Sequence, residues 1–233
     1  MPTGRMSIRR KNFGNPFRPV APEVRLLYDG RGVKYMNHTI GKCAAWVNAA
    51  AVAGFAASML VNSYSMSCLS SIFIALSFAL LASAFAALAP ADRQAAGRAA
   101  AAFAAMYAVL NASVYFIQLA AVEGANLPDD IATLVDYRRF GMMFALDMLG
   151  YGLMAVSTFF AALSFRAGDR PDKWLKGLLL AHGGFAVPCL VLPLLGVFRA
   201  DMPGGDLMGT LILEFWCALF LPIALLSVRH FQK

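Results

Sequence analysis

Residues 140–165 read FGMMFALDMLGYGLMAVSTFFAALSF, a run of twenty-six residues with one charged side chain, Asp147. As a helix this run rises about 39 Å at 1.5 Å per residue, enough to cross roughly 30 Å of hydrocarbon. Five more windows of the same kind flank it: Cys43 to Val61, Cys68 to Leu88, Ala99 to Val122, Gly177 to Val197 and Leu207 to Val228. Backbone polar groups in hydrocarbon must pair within the protein, so spans of this length are helices. A β-barrel would show segments of about ten residues with strict alternation, and none is present. The expected fold is all-α, a polytopic membrane protein with a bundle of six transmembrane helices.

The rest of the 233 residues agrees. The chain is 60% hydrophobic and 14% charged, too apolar for an ordinary soluble domain and too long for a single anchor. Seventeen of its 20 Lys and Arg fall on the arm, the tail and alternate loops; the other side has only Arg138, Arg139 and Arg199. The positive-inside rule places both termini in the cytoplasm, an orientation that an even number of spans allows. This divides the chain into a basic cytoplasmic arm at 1–42, a six-helix transmembrane domain at 43–228 and a short cytoplasmic tail at 229–233. The Ala-rich spans suggest a bacterial inner membrane. No cleavable signal peptide is expected before the first span, whose apolar run begins late and is long.

The net charge of +7 lies mostly in the arm, whose first twenty-two residues contain no acid. Anionic lipid headgroups attract such a segment, so the charge implies the bilayer as partner and no nucleic acid. A sharper alternative is a docking arm for a cytoplasmic protein, with Pro22 and Glu23 opening a short helix through Val24, Leu26, Leu27 and Tyr28. Further along, Pro128 with Asp129 and Asp130 suits the first turn of a helix. With Ile131, Leu134 and Val135 as its apolar face, it predicts a short interfacial helix on the outer side. Trp174 marks the headgroup level at the entry to the fifth span, and residues 201–206 read as a turn.

Ala45, Ala49, Ala53 and Ala57 recur every four residues in the first span, as do Ala75, Ala79, Ser83 and Ala87 in the second. Small residues at that spacing let helix backbones approach closely, within the bundle or against another subunit. Cys43, Cys68, Cys189 and Cys217 fall in or at the ends of spans without metal-ligand spacing, so free thiols and no metal are expected.

The polar residues of the spans carry the functional argument. Tyr107, Asn111, Tyr115 and Gln118 share one helical face in the third span. The fourth repeats the pattern with Asp147, Tyr151 and Thr158. Counting from charged ends, Asp147, Glu214 and Tyr115 all fall eight residues inside the outer boundary, about 12 Å at the helical rise. His182 and Asn48 fall nearer the cytoplasmic side and Asn111 between the two levels. These faces predict an outer cluster of Asp147, Glu214 and Tyr115, a central amide and an inner imidazole. Carboxylates at such depth usually face a cavity or a partner. Two uses remain open: a proton or cation pathway, or a structural hydrogen-bond network. Gly183, Gly184, Pro188, Pro193 and Pro222 add irregularity of the kind found in transporter sites.

Several activities lack their residues. His182 has no second intramembrane histidine for a haem, no span contains a lysine for retinal, and the nucleotide, HExxH and GxSxG motifs are missing. No cofactor is implied. Phe144, Ala145, Leu146, Asp147, Met148, Leu149, Gly150 and Tyr151, followed by Lys173, Trp174 and Leu175, resemble segments of uncharacterised multi-pass bacterial membrane proteins. That resemblance covers about two spans and implies no activity. The count of six is also similar to the substrate-binding subunits of vitamin importers, which meet a partner through small residues of the first helix; the long basic arm departs from them. The expected function is transport of a small solute, proton or cation. The alternatives are a non-catalytic subunit that binds a partner through its arm or alanine seams, and an intramembrane enzyme acting on a lipid-like substrate.

Overall fold

The computed structural model describes residues 30–198 and 205–233, and every regular element among them is helical. The order is α1 (Gly30–Leu60), α2 (Tyr64–Leu88), α3 (Gln94–Ile117), α4 (Asp129–Val135), α5 (Met142–Ser164), α6 (Arg170–Gly183), α7 (Ala186–Leu194) and α8 (Gly205–His230). Among the described residues six helical runs are long and apolar enough to cross a membrane, with α6 and α7 together forming one of them. The chain is thus a polytopic, all-α membrane protein. The helix suggested at Pro22 to Tyr28, Arg199 and most of the 201–206 turn lie outside the described residues.

Helices outrun the apolar windows because hydropathy marks the hydrocarbon, whereas a helix continues wherever its backbone can bond. The largest extension is in α1, which begins at Gly30 and has 31 residues, about 46 Å of rise. Its first turns carry Lys34, His38 and Lys42 beyond the apolar window. At the other end of the third span, α3 passes into a π turn at Gln118–Val122. The short helix expected after Pro128 is present as α4, with Pro128 at its N-cap and both aspartates in its first turn. Ala132 is its buried residue, while Ile131 and Leu134 are exposed.

The fifth span is broken, as its glycines and prolines suggest. Pro188 has no N–H to offer the Gly184 carbonyl; Val187 N–H bonds it instead at 3.2 Å, and Phe185 N–H bonds back to His182 O. The span then ends where Gly196, at φ +63°, lets Gly196 N–H reach Pro193 O and Val197 N–H reach Leu192 O. This is the left-handed helix stop that a residue without Cβ favours. Pro222, in contrast, lies inside an uninterrupted α8.

The spans close into a ring in chain order: α1 on α2, α2 on α3, α3 on α5, α5 on α6 and α7, α6 on α8, and α8 back on α1. Past the break, α7 packs chiefly on α5. The alanine seams divide between inside and outside: Ala45, Ala49 and Ala75 are buried, whereas Ala53, Ala57, Ser83 and Ala87 are exposed. Outward faces carry large apolar groups such as Trp46, Phe73, Leu80, Val109 and Phe116, suited to lipid. Because lipid removes the hydrophobic drive between helices, packing and interhelical hydrogen bonds hold the ring. Asn48 Nδ2 bonds Ser77 Oγ and Ile74 O to join α1 to α2, and Ser157 Oγ donates to Ala100 O to join α5 to α3.

Candidate functional site

Each of the six spans sends a ring to the middle of the bundle. Phe78 of α2 meets Tyr107 of α3 at 5.8 Å between centroids, Tyr107 meets Tyr151 of α5 at 5.8 Å, and Tyr151 meets Trp216 of α8 at 5.8 Å. Trp216 stacks on Phe220, which returns to Phe78 at 5.9 Å. Phe55 of α1 and His182 of α6 pack against Trp216 from outside this circuit. The circuit is an aromatic layer, built from edge, tilted and offset contacts of the kind such rings prefer.

Immediately next to this layer, towards the Tyr137 turn, lies Asp147, wholly buried. Asn111 Nδ2 donates to Asp147 Oδ1 at 2.7 Å. The hydroxyls of Tyr115 and Tyr137 lie beside the same carboxyl group, yet Oδ2 is left without a hydrogen bond. Burial, followed by the charge of Asp147, holds the Tyr137 phenol well above its ordinary pKa, so that hydroxyl remains a donor. Tyr115 and Tyr151 hydroxyls are 3.4 Å apart, extending the cluster towards the aromatic layer. Gly150 makes room for the amide: a Cβ there would strike Asn111 Oδ1.

Gln118 closes the cluster on the side of the Tyr137 turn. Its Oε1 accepts from Tyr64 O–H and from Tyr137 N–H, each at 2.9 Å, and its Nε2 donates to Val135 O at 2.9 Å. The turn at Tyr137–Arg139 is thereby tied to α2 and α3. Asp136 reinforces it with a two-pronged pair to Arg138, whose guanidinium lies 4.7 Å from the Tyr64 ring centroid. Although burial pushes the Asp136 carboxyl up, its bonds from Arg138 win and hold it below the usual range.

His182 belongs to a separate chain of bonds. Trp216 Nε1–H donates to its Nε2 at 2.9 Å, so in the neutral imidazole Nδ1 carries the proton. Nδ1 then donates to Thr158 Oγ1 at 2.9 Å, and Thr158 donates to Ala155 O. Every partner in this chain is satisfied, and it joins α5, α6 and α8.

The expected outer cluster therefore forms in part. Tyr115 and Asp147 are together, joined by Asn111, which lies at the Asp147 level rather than midway to His182. Among the described contacts none joins Asp147 to Glu214. The physical reason is the ring order: α8 packs on α1 and α6, and meets α5 through the Tyr151 and Trp216 rings. Glu214 has its own buried Oε1 without a hydrogen bond, near Cys217. Counting depth placed the two acids at one level but says nothing about azimuth around the ring. Tyr137, Tyr64 and Trp216 were not among the residues singled out from sequence. The first two sit at span ends, where aromatic residues pass for interfacial anchors, and Trp216 passes for packing.

The arrangement offers a buried carboxyl group with tyrosine hydroxyls beside it. Such a group is suited to taking up and releasing a proton or a small cation, and it lies between a hydrogen-bonded turn on one side and rings on the other. Among the described residues no three His, Cys, Asp or Glu side chains converge as a metal site. No family model matches this chain, and neither a curated protein nor a solved structure matches it.

Proposed function

We propose that this integral membrane protein moves a proton or a small cation across the membrane, with Asp147 as the group that carries the exchangeable charge. One observation carries the reading: Asp147 is fully buried with Asn111 bonded to Oδ1, and its Oδ2 completes no hydrogen bond although the Tyr115 and Tyr137 hydroxyls lie beside the carboxyl group. A carboxylate within a span is expensive, on the order of 2.5 to 3.5 kcal/mol at the bilayer centre. A purely structural acid would gain by completing both oxygens. The hydroxyls of Tyr115, Tyr137 and Tyr151 supply a lining that can pass a proton, and the aromatic layer beneath is better suited to stopping a bulky solute than to admitting one. On this reading the observed state is occluded, and exchange requires the Tyr137 turn to lift or the layer to part.

The same reading puts the protein in the cytoplasmic membrane, with both termini inside, on the distribution of its Lys and Arg. It is tested with purified protein in liposomes carrying an internal pH dye, driven by a potassium diffusion potential. Wild type acidifies or alkalinises the lumen according to the sign of the potential, and Asp147→Asn lowers that rate at least tenfold. Equal rates for the two proteins overturn the assignment. Repeating the measurement with sodium gradients separates proton from cation movement.

A further inference from the structure

The amino-terminal turns of α1 and the end of α8 border a shallow, open groove of about 450 Å³ at the end of the bundle opposite the Tyr137 turn. We propose that this groove binds the phosphate headgroup of an anionic phospholipid. Its walls include Lys34, His38 and Lys42 on α1 and Lys233 beyond α8. The three α1 residues are spaced by four and share one face. His38 is fixed by a 3.3 Å contact from Nδ1 to Phe231 O, which holds α1 against the end of α8 and keeps the groove in shape.

The lining carries three lysines and no Asp or Glu. Two acids lie just behind it and share one of those lysines: Lys233 Nζ reaches Asp169 at 2.8 Å and Asp172 at 2.7 Å, and His230 Nδ1 reaches Asp172 at 2.9 Å. Lys34 and Lys42 have no hydrogen bond or ion pair among the described residues, so two ammonium groups line a concave space without a counter-charge. Tyr35 adds a hydroxyl to the lining, while the Thr39 hydroxyl donates to Tyr35 O at 3.0 Å. An anion with several acceptor oxygens answers this lining, and the volume lies within the range of small-molecule sites, about 300–1,000 Å³.

A second observation selects a lipid over a free anion. Val33, Met36, Ile40 and Val47 form another stripe of α1, and all four are exposed. That stripe runs without interruption into the lipid-facing surface of the span, where Trp46 is also exposed. The extension therefore lies with hydrocarbon on one face and cations on another, the geometry of a headgroup layer. Basic pockets beside spanning helices at the membrane surface are where anionic headgroups bind.

The test uses the full chain in nanodiscs of phosphatidylcholine with a minor fraction of spin-labelled phosphatidylglycerol, and the converse mixture with spin-labelled phosphatidylcholine. Wild type immobilises phosphatidylglycerol in excess over phosphatidylcholine, and salt weakens the excess. Lys34→Gln with Lys42→Gln lowers the affinity about thirtyfold, from the contribution of a lysine near an anionic surface. A control pair elsewhere, Arg98→Gln with Lys176→Gln, leaves it unchanged, and both variants are matched to wild type in thermal unfolding. No excess in wild type, an equal loss in the control pair, or displacement of the lipid by millimolar inorganic phosphate each overturns the proposal. The outcome does not depend on Asp147, so it stands or falls apart from the transport reading.

Discussion

Asn111 and Gly150 show how much of this bundle rests on single atoms. The amide of Asn111 reaches Asp147 because the residue facing it on α5 has no side chain. Gly150→Ala places a methyl group where Asn111 Oδ1 lies; overpacking of this kind costs about 1–3 kcal/mol, and it breaks the bond to Asp147. The expected result is a lower melting temperature in detergent, with Asn111→Ala in the same background restoring part of the loss. Additive effects of the two substitutions would show that these side chains do not meet. From the sequence, Tyr107, Asn111, Tyr115 and Gln118 could be placed on one inward face, and all four are buried. Their separate duties could not be read. Gln118 directs its amide to the Tyr64 hydroxyl and to backbone groups around the Tyr137 turn, whereas Asn111 serves a carboxylate, and helical spacing is the same for both.

At the scale of the element, the fifth span separates two kinds of proline. Pro188 follows Gly183 and Gly184, where the backbone tolerates a tight turn, and α6 and α7 part there. Pro222 lies among Phe220, Ile223 and Ala224, all fully buried, and neighbouring packing keeps α8 continuous. Pro188→Ala restores the N–H that can bond Gly184 O and reduces the break. Spin labels at Lys173 and Leu194, both exposed, should move apart towards the spacing of a straight helix, about 1.5 Å per residue, when read by pulsed electron resonance. An unchanged distance would assign the break to tertiary contacts, such as Leu190 against Gly152, rather than to the missing donor.

Across the whole molecule, the ring is closed by the end of α8. Phe231 and His230 pack on Phe85 of α2, His230 also bonds Asp172 of α6, and Lys233 bonds Asp169 and Asp172. The bond from Lys233, followed by that from Asp172 N–H, holds the Asp169 carboxyl below its ordinary range. A lowered carboxyl pKa contributes stability above the unfolded value, about 3.9, and the contribution disappears as pH falls through the folded one. Wild type should therefore unfold at a higher temperature than Asp169→Asn at neutral pH, with the difference shrinking progressively as pH falls below roughly 4. A difference that is constant with pH would mean that the charge of Asp169 contributes nothing to stability. The sequence by itself determined the membrane class, the number of spans, the short helix after Pro128 and the irregular fifth span. Each of these follows from local hydropathy and backbone chemistry. Only the tertiary structure decided that Asn111 and Tyr115 accompany Asp147 while Glu214 stays with α8, and that rings from all six spans meet in one layer. Those facts depend on the order of helices around the ring and the rotation of each about its axis, which residue spacing along one helix does not encode.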